Sequence, residues 1–296
     1  GLGEREGDWH LDRSIQKLQT EVDLNFAGTS SRLVDMNRYS SIFEPTEYAE
    51  LESRVSYRKF GELCPTCKGT GYYEFNGGTH ECEKDYDGIC VQRKIFLRYE
   101  LANIPMDYHR IDWDFFETQP EAKESIEAYV NNLDNAIEKG LGLYVNSTGL
   151  GTGKTLIGCH VLKEAVKREH KAYFCQFMDL VNISGDCYQK IENKLLNSDI
   201  VCIDDIVSSH ISSKQNDLFK YLLEKTIRHR VHNEMSTIVT SNLESDEFLK
   251  AYDRVFSLLM SNSFEIRLKS SIDYRRDFLA SGIDDLLRSK DISPIT

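Results

Sequence analysis

Near the middle of the chain, Lys154 and Thr155 close the run Ser147-Thr148-Gly149-Leu150-Gly151-Thr152-Gly153. Residues of these types at this spacing suit a phosphate chain. Glycines let backbone N–H groups approach phosphate oxygens, and a following helix adds its N-terminal dipole. The lysine reaches the outer phosphates and the hydroxyl ligates Mg2+. The pattern G-x-x-x-x-G-K-[ST] asks for glycine at position 148, where this chain has Thr148. Gly149 next door can share the duty of easing the loop's entry, and Gly153, Lys154 and Thr155, which have the direct chemical roles, are intact. The competing reading is a glycine-rich turn with a chance Lys-Thr. The flanks disfavour it: "LGLYVN" runs into the loop as a strand, and an apolar-periodic helix follows.

A second group of polar residues lies about fifty positions on. In "DIVCIDDI", residues 199–206, mostly apolar residues precede Asp204 and Asp205, which puts two carboxylates at the C-terminal end of a buried strand. Ligands of open α/β sheets bind at that edge. Asp204 is expected to hold Mg2+, directly or through water, and Asp205 to orient or deprotonate an attacking water. "STIVTSN", residues 236–242, is another such strand, and Asn242 at its end is placed to bond a terminal phosphate or that water.

These residues need a frame. From about residue 139 the strands "LGLYVN", "KAYFCQF", "DIVCIDDI", "STIVTSN" and a weaker "FEIRLK" alternate with longer helical patterns. The alternation predicts a parallel sheet covered by helices. The chain of 296 residues is 40% hydrophobic, enough for a substantial core. No apolar run is long enough to span a bilayer and no signal peptide is visible, so a cytoplasmic location is expected. A net charge of -12 argues against autonomous binding of nucleic acid, whose affinity comes largely from phosphate neutralisation. The best local basic strip is Lys225, Arg228 and Arg230 in "EKTIRHRVH", which by default is a solvated helix face.

Earlier in the chain the character differs. "DRSIQKLQTEV" and "EPTEYAELESRV" carry amphipathic helical spacing, and "VQRKIFLRYELANIP" is a further expected helix leading into the second half. Between them "CPTCKGTGYYEFNGGTHECEKDYDGIC" holds Cys64, Cys67, Cys82 and Cys90. The C-x2-C pair with glycine after it is a metal-knuckle arrangement, and tetrahedral zinc would take all four thiolates, or His80 in place of Cys90. Some thirty residues with few large apolar side chains lack a core of their own, so a structural zinc that stiffens a docking module is the expected reading. Cys159, Cys175 and Cys202 fall instead inside apolar patterns, as small hydrophobes. The predicted organisation is a helical, zinc-binding N-terminal domain over 1–95, a lead-in over 96–120, and an α/β domain over 121–296.

Taken in this order, the glycine loop, the "CIDDI" strand and the "TSN" strand resemble an AAA+ ATPase, and more closely the helicase loaders of the DnaC/DnaI type and the transposition ATPases of the IstB type. "ELANIPMDYHRIDWDFF" resembles the family's lead-in and "DRVFSLLMSNSFEIRLKSSIDYRRD" its C-terminal part, so the likeness runs over about 97–280. It implies a P-loop three-layer sandwich with a short C-terminal lid. It further implies ATP/ADP contacts at Gly149, Leu150, Gly151, Thr152, Gly153, Lys154, Thr155 and Leu156, with Mg2+ at Thr155 and Asp204. Lys154, Asp205, Asn242, Arg275 and Arg254 would be catalytic, Arg275 touching the outer phosphate from the lid. The arginine that usually reaches into a neighbouring subunit three residues after "R-V" is replaced by Leu258, so Arg254 or a basic residue of "KTIRHR" would take that place. The expected function is ATP-dependent loading of a ring-shaped replicative helicase onto single-stranded DNA by a homo-oligomer, with the N-terminal domain gripping the helicase. A transposition ATPase of the IstB/TnsC type is the alternative, and so is a nucleotide-binding adaptor that does not hydrolyse efficiently.

Overall fold

A computed structural model of the protein describes residues 66, 72–81, 95, 98–109, 111, 113–116, 119–182, 186–206, 213–269, 271, 273 and 274. Five strands form one parallel sheet: β3 (Gly142–Asn146), β4 (Ala172–Gln176), β5 (Ile200–Ile206), β6 (Ser236–Ser241) and β7 (Ser263–Arg267), in the order β4-β5-β6-β3-β7. Each of the five expected strands is present within about two residues of its sequence limits. The covering helices are α1 (Pro120–Asn131), α2 (Leu133–Glu138), α3 (Lys154–Lys167), α4 (Asp179–Asn182), α5 (Asp186–Asn197), α6 (Ser213–His232), α7 (Ser245–Ala251) and α8 (Asp253–Ser261).

The strands read as nearly continuous apolar runs because both faces of the sheet are covered. Successive side chains point to opposite faces, and two cores result. Leu143 and Val145 of β3, with Ile200 and Cys202 of β5, pack on one side with α1, α2 and α3. Tyr144, Val201 and Ile203 face the other way, toward α5, α6, α7 and α8. This is the expected α/β three-layer sandwich. Cys159, Cys175 and Cys202 are buried and unpaired, and burial raises the pKa of each thiol. They serve as small core residues, as their sequence settings indicate.

The lead-in segment contributes Tyr99, Ala102, Ile104 and Phe116 to the α1–α3 core. Lys163 of α3 ties it down: its buried ammonium donates to the carbonyls of Tyr108 (3.1 Å) and Ile111 (2.8 Å). Ala102 and Asn103 also bracket Phe174 on the outer strand β4, through Phe174 N–H to Ala102 O (2.8 Å) and Asn103 Nδ2 to Phe174 O (2.9 Å).

Ahead of this lies a hairpin of β1 (Tyr72–Phe75) and β2 (Gly78–Glu81), paired antiparallel with Tyr72 opposite Glu81. Its turn residues Asn76 and Gly77 have φ of 49° and 78°, the left-handed pair that two-residue hairpin turns favour. The sequence reading had no strands here. Cys64, Cys67, Cys82 and Cys90 lie outside the described residues, as do the two amphipathic segments before residue 60. His80 is exposed, and its Nε2 lies 3.1 Å from the Phe75 carbonyl oxygen.

Candidate nucleotide site

The glycine loop leaves β3 at Asn146 and enters α3 at Lys154. Ser147 continues the sheet, donating its N–H to Ser241 O (3.2 Å), and its Oγ accepts the Gly149 N–H (3.2 Å). Thr148 is exposed and is not among the residues with positive φ. No left-handed backbone is needed there, so a threonine in place of the pattern's glycine is physically undemanding. The demanding position is Gly153, at φ 96°. A Cβ on it would come within 2.8 Å of Phe116 Cε2 and 3.3 Å of Tyr274 Cε2. Glycine is required there twice over, by backbone conformation and by close approach.

Lys154 is buried, and its ammonium donates to the carbonyls of Ser147 (3.2 Å) and Gly149 (2.8 Å) and to Thr152 Oγ1 (3.3 Å). The cation thus sits over the loop's hollow with its hydrogens on the loop itself, fit to turn to phosphate oxygens. Thr152 is buried, Leu150 exposed, and Leu156 belongs to the core.

At the same edge of the sheet Thr155 Oγ1 donates to Asp204 Oδ2 (3.0 Å). Asp204 is nearly inaccessible, and burial raises its pKa, with hydrogen bonds from Thr240 and Thr155 opposing the rise. A desolvated carboxylate beside a hydroxyl is a suitable pair for a hard dication, whose charge would offset the burial. Asp205 turns away from it. The register between β5 and β6 passes from Ile203↔Val239 to Ile206↔Ser241, so two residues, Asp204 and Asp205, oppose Thr240 alone. At this bulge Asp205 takes φ 59°, a left-handed conformation that aspartate tolerates better than most residues. Its exposed carboxylate accepts a hydrogen bond from Asn242 Nδ2 (2.5 Å). Loop, lysine, hydroxyl, two carboxylates and the asparagine therefore meet at one end of the sheet.

The arginines fare differently. Arg254 is exposed in the first turn of α8, and among the described residues no hydrogen bond or ion pair joins it to the loop or the aspartates. Arg275 lies outside the described residues. Its neighbour Tyr274 is buried and donates its N–H to Gly151 O (2.8 Å). Leu258 is half-buried against the second core. The basic strip is corrected outright. Arg230 is fully buried and donates to Thr237 Oγ1 and to the carbonyls of Leu195, Ser198, Asp199 and Ser236. It cannot serve a DNA strand or a neighbouring subunit. Lys225 and Arg228 remain on the surface, paired with Glu192 (2.5 Å) and Glu224 (2.6 Å).

Three residues around the loop escaped the sequence reading. Gln119 Nε2 donates to Thr152 O (3.3 Å), while its Oε1 accepts the Lys269 N–H (2.7 Å). Phe116 packs under Gly153 and against Tyr274, with ring centroids 5.4 Å apart. The available signal was the aromatic density of "DWDFF", but no periodicity tells which loop it covers.

The family model described as IstB-like ATP binding protein matches residues 89–257. No curated protein matches the chain. Among solved structures it is similar to the DnaC helicase loader, at 26% identity over 58% of this chain and 99% of that one, with a TM-score of 0.44. DnaI is similar at 17% identity over 56% and 94%, TM-score 0.46. AMPPCP-bound DnaA from Aquifex aeolicus is similar at 14% identity over 64% and 58%, TM-score 0.45.

Proposed function

The chain belongs to the IstB-like ATP-binding protein family, with an AAA+ fold, and on that premise we propose that it is an ATPase that loads a ring-shaped replicative helicase onto single-stranded DNA. The observation that carries the ATPase reading is the Thr155–Asp204 contact at 3.0 Å beside the Asp205–Asn242 pair. In this reading the N–H groups of the loop and the α3 N-terminus bind the phosphates, and Lys154 turns from the loop carbonyls to the outer ones. Thr155 and Asp204 hold Mg2+, which when bound neutralises phosphate charge. Asp205 orients or deprotonates the attacking water, and Asn242 fixes Asp205. Arg275 reaches the outer phosphate from the lid, and Arg254, or Lys225 or Arg228 of "KTIRHR", acts on the site of an adjoining copy, Arg230 being buried.

The loading part rests on the sequence resemblance to loaders and on the cysteine-bearing segment ahead of the core. Residues 1–95 would form the docking domain, residues 96–120 the lead-in and residues 121–296 the ATPase unit. Zinc would be held by Cys64, Cys67, Cys82 and Cys90, or by His80 in place of Cys90. Among the described residues no helix is long and apolar enough to cross a membrane. A second reading, a regulator of transposition built on the same core, is favoured by the family matched. Incubating the full chain and ATP with a circular single strand and a purified replicative helicase or, in a parallel reaction, a purified transposase separates them. ATP-dependent retention of the helicase on the circle supports loading. Retention of a transposase in its place supports the second reading and overturns the first.

A further inference from the structure

Thr240 contributes one hydroxyl to two different jobs. The residue is 1% exposed, next to the C-terminal end of the buried strand β6. Its Oγ1 donates to Asp204 Oδ1 (2.7 Å) and accepts the backbone N–H of Asp205 (2.9 Å). A hydroxyl has one hydrogen to give, and here it goes to the carboxylate, while a lone pair takes the amide. The methyl group points elsewhere: Thr240 Cγ2 is the side-chain atom 3.9 Å from where a Cβ on Gly158 of α3 would lie. Polar and apolar halves of the side chain are therefore separated in space.

The bulge explains why such a residue is needed. With Asp204 and Asp205 together opposing Thr240, the strand ladder skips at this point, and the Asp205 N–H finds its acceptor in a side chain. That N–H belongs to the residue at φ 59°, a conformation that persists only where its surroundings over-determine it. The bond to Asp204 acts on the other carboxylate. With Oδ1 held by Thr240 and Oδ2 by Thr155, the Asp204 carboxylate is fixed in rotation on the α3 side of the sheet edge.

We propose that Thr240 is a positioning residue of the nucleotide site: its single hydroxyl sets Asp204 for the metal and Asp205 for the water, indexing one carboxylate to the other across the bulge. This rests on the ATPase reading above. Thr240 touches neither nucleotide nor metal in it and acts through the two aspartates.

The test compares Thr240→Val, which keeps the shape and removes the hydroxyl, with Thr240→Ser, which keeps the hydroxyl and removes the methyl. Steady-state ATP turnover is measured against ATP and against Mg2+ for the full chain, with ADP binding in EDTA as the metal-free reference. A hydrogen bond to a charged group at such a site is worth roughly 10- to 100-fold. Thr240→Val is expected to lower kcat by about that factor and to raise the Mg2+ concentration for half-activation severalfold. Metal-free ADP binding stays unchanged, and Thr240→Ser recovers most of both losses. If Thr240→Val does not fold, Thr240→Ala takes its place in the same comparison. The proposal is overturned if the hydroxyl-free variant keeps kcat and Mg2+ dependence, or if Thr240→Ser is as impaired as the hydroxyl-free variant, which would assign the role to the methyl. An unchanged chain that binds no nucleotide would instead sink the ATPase reading itself, which the wild-type measurement registers separately.

Discussion

Truncating Arg230 should destabilise the fold while leaving nucleotide chemistry intact at temperatures where the chain stays folded. Its guanidinium joins the end of α5, the start of β5 and the start of β6, at the end of the sheet opposite the glycine loop. Burial pulls its pKa down to about 9, so it is charged at neutral pH. Arg230→Ala strands the buried carbonyls of Leu195, Ser198 and Ser236, which now accept bonds at 2.6, 2.9 and 2.6 Å. An orphaned buried polar group costs about 1–3 kcal/mol, and water entering the vacated polar space offsets part of the sum, leaving about 4 kcal/mol. For a domain of this size each kcal/mol moves Tm by about 2–4 °C, giving a fall of about 8–16 °C. Arg230→Lys, with three donors for five, should fall about half as far. The assay is thermal unfolding of the full chain followed by circular dichroism, with ADP binding measured well below the transition. A Tm change under about 3 °C, accompanied by lost DNA binding, would refute the buried-clamp account and restore Arg230 to a surface strip.

Two further outcomes follow from the same geometry. Gly153→Ala forces a Cβ onto a left-handed residue and within 2.8 Å of Phe116. It should cost about 2–4 kcal/mol by denaturant unfolding and weaken ADP binding, with Phe116→Leu in the same chain recovering only the steric share. Burial raises the pKa of Asp204, so its ionised form is disfavoured in the folded chain. The stability linked to it is present below the ordinary carboxylate range and is lost as pH rises through the raised value. Asp204→Asn should therefore gain in Tm over the unchanged chain as pH rises from about 4 to about 7, while losing Mg2+-dependent turnover; a gap that narrows over that range would contradict the assignment.

Much of the sheet was legible because it is buried on both faces, which writes each strand as an apolar run ended by the polar residues that do chemistry. "IVCIDDI" is the clearest case, four buried residues and then the two aspartates. What stayed hidden was side-chain direction. Arg230 looked like part of a basic strip, although it falls on the same face of α6 as buried Leu223 and Ile227, at the i, i+4, i+7 spacing. That register was the available signal, running against the general rarity of buried arginine. Thr240 carried no signal of its own. Its role exists only because the bulge in β5 sets two residues against it, and strand pairing at that resolution is not written in either strand alone. The cover of Phe116, Gln119 and Tyr274 over the loop joins segments more than a hundred residues apart in sequence, as Gln119 to Lys269 does, and local spacing cannot reveal it.

The central claim is that Lys154, Thr155, Asp204 and Asp205 form a site that binds and cleaves ATP. Its most direct test is steady-state phosphate release from ATP and Mg2+ by the purified full chain, with Asp205→Asn measured beside it. The account predicts sustained turnover in the unchanged chain and a fall of about 100-fold or more in the variant with ADP affinity preserved. Turnover that survives Asp205→Asn, or an unchanged chain that binds ATP and releases no phosphate, would contradict it.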